Sequence, residues 1–303
     1  MGGGDAAGVT ARLPIALTIA GSDSGAGAGI QADIKTFAAL GVYGASVVTA
    51  LTAQSTRGVR AIHYPPPDIV GSQIDAVLED FDVAAIKIGM LGTATTVEGV
   101  AERLSSLSSP PSPTRRGSKN LLPPAEGAPK ARNTAFILYD PVMAASSGDP
   151  LSGVGFVETV LANLLPLVDC LTPNLAEAAA LLGEPVARSE AGMTRQGEAL
   201  LKLGPGAVVM KGGHLAGQEA ADLLVTKDAV VRFAAPRLRS RNLHGTGCTL
   251  SSAIVANIVL GAALPDAMVS AKAFVRQAIE RGEVIVLGSG AGPLIQTELR
   301  SKL

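Results

Sequence analysis

The chain predicts an α/β fold in which a mostly parallel sheet carries helices on both faces. Two observations predict it. Short β-branched or apolar runs alternate with helical stretches over most of the length. Apolar residues make up 47% of the 303 residues and charged residues only 17%, as suits a sheet buried on both sides.

The elements follow in order. Residues 15–20 read as a strand, 29–40 as a helix, 46–51 as a strand and 67–79 as a helix. Residues 84–88 form the next strand, and a helix runs from about 95 to 107. Further short apolar strands fall at 135–139, 168–171 and 207–210. Helices over 153–165, 175–182 and 190–203 connect them. Residues 222–226 and 229–233 flank Lys227-Asp228, a hairpin signal that predicts an antiparallel edge. Helices over 248–260 and 265–287 close the chain.

One segment departs from this alternation. Residues 105–133 hold Pro110, Pro111, Pro113, Pro123, Pro124 and Pro129 among many serines. Such a composition buries little surface and predicts a disordered insertion within one domain spanning 14–303. Residues 1–13 are Gly/Ala-rich, without an apolar signal core, and are expected to be a disordered lead-in. The apolar stretch at 253–264 is broken by Asn257 and stopped by Pro265. It falls short of the roughly 20 residues a membrane span needs, so no membrane partner and a cytoplasmic location are expected. The net charge of -1 gives no electrostatic footprint for nucleic acid. Cys170 and Cys248 have no metal-ligand spacing and form no disulfide framework.

Four segments can carry chemistry. Gly21-Ser22-Asp23-Ser24-Gly25-Ala26-Gly27-Ala28-Gly29 lies between a strand and a helix, where backbone N–H groups can approach a ligand. It lacks the Gly-Lys-Ser/Thr of a Walker A loop, and Ile30 breaks a dinucleotide fingerprint. A flexible turn would read the same way. His244-Gly245-Thr246-Gly247-Cys248 opens a helix, and its small residues at a helix N-terminus would make an anion hole. Thr172-Pro173-Asn174-Leu175-Ala176-Glu177 follows a strand. Thr172 and Asn174 suit helix capping, and Glu177 is a carboxylate near the strand ends, as is Asp140. Lys211 ends a strand beside Gly212, Gly213 and His214 and can reach a polyphosphate; a solvated loop lysine is the plainer account.

Taken together, the motifs carry a resemblance. The segments 16–24 and 27–36, Thr49-Ala50-Leu51-Thr52-Ala53-Gln54-Ser55-Thr56, Lys87-Ile88-Gly89-Met90-Leu91 and Asp140-Pro141-Val142-Met143 resemble the hydroxymethylpyrimidine/phosphomethylpyrimidine kinases of the ribokinase superfamily. Ser147-Gly148-Asp149 and the Thr172, Lys211 and His244 segments continue the likeness. It implies a ribokinase-like three-layer α/β/α sandwich with ATP and a small pyrimidine in a cleft at the strand ends. It also implies Mg²⁺ as cofactor, leaves a monovalent cation open, and implies a homodimer.

By the same resemblance, Gln54 binds the pyrimidine, with Gly21, Asp33, Met90 and Val142 as other pocket positions. A carboxamide offers the acceptor and donors an aminopyrimidine edge needs. Read without the resemblance, Asp33 is a solvated helix residue and Met90 a core residue. Lys211 matches the phosphate-binding lysine, Asp140 and Glu177 the acids around Mg²⁺, and Thr172, Asn174 and Gly213 the ATP side. Gly245, Thr246 and Gly247 match the anion hole, and His244 adjoins it. Cys248 matches the catalytic base, and a helix N-terminus with nearby cations is expected to lower its pKa. The family often has Lys before Ser-Gly-Asp; here Ala144-Ala145-Ser146 stands there. A pyridoxal or pyridoxine kinase of the same superfamily is the alternative, followed by a sugar kinase and by an inactive vitamin-binding regulator.

Overall fold

Alternation of side chains along the central strands sets the architecture. In β1 (Ile15–Asp23), Ala16 faces one cluster of buried side chains, and Leu17 and Ile19 face another. In β5 (Phe136–Tyr139), Ile137 and Tyr139 share one face and Leu138 takes the other. A period of two with both faces apolar requires cover on both sides. The computed structural model describes residues 13–107, 135–145, 148–149, 151–213 and 215–298. Residues 1–12 of the expected lead-in, 108–133 of the Pro/Ser segment, Ser146, Ser147 and His214 lie outside the described residues.

The remaining strands are β2 (Tyr43–Ser55), β3 (Gly58–His63), β4 (Val83–Ile88), β6 (Cys170–Leu171), β7 (Ala207–Lys211), β8 (Glu219–Val225) and β9 (Val230–Pro236). They form one sheet in the order β3-β2-β1-β4-β5-β6-β7-β8-β9. The strands from β2 to β7 in this order pair in parallel. β3 on one side, and β8 and β9 on the other, are antiparallel. Helices α2 (Pro67–Asp80), α3 (Ala94–Leu107), α5 (Leu175–Leu182) and α6 (Glu190–Leu201) cover one face, through Ile74, Val100, Leu181 and Met193 among others. Helices α1 (Gly29–Ala39), α7 (Thr246–Val259) and α8 (Leu264–Gly282) cover the other, through Phe37, Ile254 and Phe274. Each such side chain, removed from water, contributes about 1.5–3 kcal/mol.

Several boundaries differ from expectation, each for a physical reason. β3 was not expected; it folds back from a turn at Thr56-Arg57 and lengthens β2, so that Gln54 pairs with Val59. The helix expected at 153–165 is a short α4 (Phe156–Thr159), then a π-helical stretch Val160–Leu164 and a 3-10 turn Leu165–Leu167. Pro166 lacks the N–H that a regular helix would use there. The last helix stops at Gly282 instead of 287. The Asn242 carboxamide donates to the carbonyls of Gly282 at 2.5 Å and Ile285 at 2.9 Å, closing the helix end.

β1 lies between β2 and β4, so the chain turns one way after β1 and returns on its other side. Such a switch point opens a crevice at the carboxyl ends of the strands.

Candidate active site

The crevice is a cleft of about 650 Å³ at those strand ends. At the end of β1, the chain must turn sharply into α1. The Asp23 carboxylate organises that turn by accepting the backbone N–H groups of Gly25 at 2.8 Å, Gly27 at 3.0 Å and Ala28 at 2.9 Å. His244 Nε2 lies 3.0 Å from the same carboxylate. Burial pushes Asp23 upward, but the His244 contact and the backbone donors outweigh it, and the group stays below its ordinary pKa. The imidazole of His244 therefore faces Asp23 and Gln54, whose Nε2 is 3.4 Å away.

The two glycine turns touch each other. Gly245 has φ 86°, and a β-carbon there would sit 1.9 Å from the carbonyl oxygen of Gly27. Only glycine satisfies both conditions. Gly245 is the N-cap of α7, and no side chain caps that first turn. A β-carbon on Gly247 would come 3.3 Å from Lys211 Nζ and 3.8 Å from Asp140 Oδ2, so the helix start faces this charged pair.

Lys211 Nζ lies 2.5 Å from Asp140 and 3.6 Å from Glu177. Asp140 is also reached by Ser251 at 3.2 Å and Thr172 at 3.3 Å. Burial opposes the Asp140 charge, but Lys211 and Lys87 hold its pKa below the usual value. Burial raises Glu177 to about 7, with Lys211 pulling the other way and Asp140 adding to the rise. Asn174 and Glu177 form a reciprocal capping box at the start of α5, at 2.9 and 2.6 Å. Among the described residues no three His, Cys, Asp or Glu side chains converge as a metal cage.

The structure brings Gly21, Gln54, Met90, Asp140, Val142, Asn174, Glu177, Lys211, Gly213, His244, Gly245, Thr246, Gly247 and Cys248 to the wall of one cleft. Met90 and Val142 pack with Ala50, Leu151 and Tyr64 as an apolar end. Thr172 and Asp33 are not on that wall. Thr172 is fully buried behind Asp140.

Asp33, expected at the substrate or in solvent, is fully buried and ion-paired to Lys87 at 2.9 Å. It also accepts from Thr18 and Ser252, each at 2.6 Å. The expected lowering of the Cys248 pKa is also corrected. Burial raises the thiol to about 11; Lys87 and a backbone hydrogen bond from Gly29 oppose this, while Asp33 and Asp140 add to it.

Four residues on the wall, Lys87, Asp23, Asp222 and Lys272, were given no role from the sequence. Lys87 sits in the run Val83-Ala84-Ala85-Ile86-Lys87-Ile88, and a lone charge inside a buried strand is a signal by itself. Asp23, a turn-forming acid directly before the glycines, was another. Asp222 and Lys272 pair at 2.5 Å beside an apolar wall that includes Leu250, Val275 and Ile279. Their residues are distant in sequence, and nothing local links them.

Comparisons with known proteins show the family of the chain. The family model for phosphomethylpyrimidine kinase matches residues 23–112 and 125–295. A hydroxymethylpyrimidine/phosphomethylpyrimidine kinase from Rhizobium meliloti strain 1021 is 48% identical over 280 residues, covering 92% of this chain and 96% of its own. The crystal structure of a phosphomethylpyrimidine kinase from Clostridium difficile 630 matches with a TM-score of 0.71 at 37% identity, covering 88% of this chain and all of that one. A Staphylococcus aureus pyridoxal kinase, solved with AMP-PCP and pyridoxal, matches with a TM-score of 0.77 at 29% identity over 94% of each chain. The fold is that of the ribokinase-like vitamin kinases. With a matching family model over most of its length and a near half-identical relative, the chain belongs to the phosphomethylpyrimidine kinase family.

Proposed function

We propose that this chain transfers the terminal phosphoryl group of ATP to the hydroxymethyl group of 4-amino-5-hydroxymethyl-2-methylpyrimidine, and then a second one to the resulting monophosphate, in thiamine biosynthesis. The observation that carries this reading is the shape of the cleft at the strand ends. It joins an apolar end bearing a carboxamide, at Met90, Val142 and Gln54, to a helix-start anion hole facing Lys211 and two acids.

The pyrimidine stacks on Met90 and Val142, with its amino edge on Gln54. ATP occupies the other arm, its phosphates toward Lys211, Asn174 and Gly213. Gly245, Thr246 and Gly247 hold the charge that develops on the transferred group. The acceptor oxygen forms a bond to the terminal phosphorus as the bond to the β–γ bridging oxygen breaks and ADP leaves. Cys248 receives the hydroxyl proton in the first step through its thiolate form. The second acceptor is already an oxyanion, and the protonated thiol then adds no repelling charge. Because such transition states are loose, positioning and charge stabilisation carry most of the rate.

Asp140 and Glu177 suit Mg²⁺. That cation takes one or two carboxylates and completes its shell with phosphate oxygens and water, consistent with two acids sharing one lysine and no closed cage among the described residues. Bound there, the ion would neutralise phosphate charge. A monovalent cation remains part of the proposal only as an added assay condition.

The continuous sheet supports reading 14–303 as one domain, and the family match breaks at 113–124, within the Pro/Ser segment. Kinship is the ground for proposing a cytoplasmic homodimer, which light scattering checks. No helix among the described residues is long and apolar enough to cross a membrane.

A second reading, pyridoxal phosphorylation, is favoured by the likeness to the Staphylococcus aureus enzyme solved with pyridoxal. A coupled assay with Mg²⁺-ATP and hydroxymethylpyrimidine, its monophosphate and pyridoxal in parallel decides between them. Turnover of both pyrimidines with little on pyridoxal is expected; preference for pyridoxal would overturn the reading.

A further inference from the structure

Lys87 is the one fully buried lysine among the described residues, yet it forms part of the cleft wall between Gly21 and Cys248. Its ammonium donates to the two oxygens of Asp33, at 3.0 and 2.9 Å. Thr18 and Ser252 give those same oxygens one further donor each. The carboxylate is thus saturated from both sides, while an ammonium with three donors retains one.

A β-carbon at Gly89 would lie 2.9 Å from Lys87 Nζ, so any larger residue there would crowd the ammonium where it backs the cleft. Asp33 stands behind and does not reach the cleft. Of the buried pair, the positive member is the one on the cleft side. Stability is a poor reason for such a pair, because apolar residues of equal volume usually serve a core as well or better.

Charge bookkeeping on the other arm points the same way. There Lys211 is ion-paired to two acids, Asp140 and Glu177, and Lys87 adds a more distant charge that also favours the Asp140 carboxylate. In the second phosphorylation an anionic acceptor must approach an anionic donor. A fixed positive charge beside the acceptor lowers that repulsion in a site shielded from water.

We propose, on the basis of the functional reading above, that Lys87 is a further catalytic residue whose ammonium contacts the acceptor oxygen and lets one cleft accept first a neutral alcohol and then an anionic monophosphate. Lys87 keeps its proton throughout. The phosphorus–oxygen bond forms and breaks as described above, and only the first step releases a proton.

The test uses the full chain carrying Lys87→Met with Asp33→Asn, so that neither charge is left buried alone. The two phosphorylations are assayed separately, and binding of each pyrimidine without ATP is measured by calorimetry. Expected is a loss of roughly a hundredfold in the second step against roughly tenfold or less in the first. Affinity for the monophosphate should fall by about tenfold while that for the alcohol stays within about twofold, with KM for ATP unchanged.

Equal losses in both steps, with both affinities unchanged, would make the pair purely structural and overturn the proposal. Gly89→Ala crowds the ammonium without removing it and serves if the double variant does not fold. It should weaken the second step more than the first, and an unchanged ratio counts against the role. If the wild-type chain binds and turns over neither pyrimidine, the functional reading itself falls, and this inference with it.

Discussion

At the residue scale, Cys248 shows how far burial can override local chemistry. The sequence places it at a helix start near cations, an arrangement that lowers thiol pKa values. In the folded chain its desolvation, with Asp33 and Asp140 close by, keeps the thiol protonated up to about 11. The sign of the pH dependence follows. Below that value the thiolate share grows roughly tenfold per pH unit. Turnover of the alcohol substrate should therefore climb between about pH 7 and 9, while the monophosphate step, which needs no base, stays flatter.

Cys248→Ala is expected to abolish the climb and lower the first step by roughly 10²–10⁴-fold, yet still bind the pyrimidine by calorimetry. A variant that no longer binds would assign Cys248 to substrate recognition instead. Gln54 and Lys211 could be singled out from sequence because each stands in a motif beside a strand end, and the structure places both on the cleft wall. Asp33 was not, because its partner Lys87 lies on another strand and only the fold joins them.

At the scale of elements, the site depends on how strands are joined to helices. Gly27 and Gly245 occupy the turns into α1 and α7 and press their backbones together. Gly245→Ala should push that contact apart and cost roughly 10²–10³ in turnover, with KM for the pyrimidine much less affected. A turnover within twofold of wild type would show that the anion hole tolerates the shift.

The capping box of α5 is a second joint. Asn174→Ala should remove about 1 kcal/mol of stability, read as a lower midpoint in a denaturant titration, because the Glu177 backbone N–H loses its 2.9 Å bond to the Asn174 side-chain oxygen. The elements themselves were largely legible. The strand–helix alternation and the hairpin at 222–233 both appear, as β8 and β9. What escaped was β3, whose short, half-exposed sequence carries little hydrophobic pattern, and the irregular helix before Pro166, where two helix types share one apolar run.

For the whole molecule, the order of strands decides where chemistry can happen. Because β1 lies between β2 and β4, the crevice opens at its carboxyl end, and the residues that line it come from nearly every part of the chain. No sequence window contains the site, which explains why each motif alone was ambiguous while their ordered set was not.

The meeting of the turns at Gly27 and Gly245 also has a kinetic consequence. Its two halves stand more than two hundred residues apart, so the anion hole closes only after α7 has docked on α1 and β1. Contacts between such distant segments form slowly, since the intervening chain must first be ordered. During refolding from denaturant, helical circular dichroism should recover ahead of kinase activity. On the ribosome, a nascent chain whose parallel core has already formed remains without activity until Gly245 and α7 emerge.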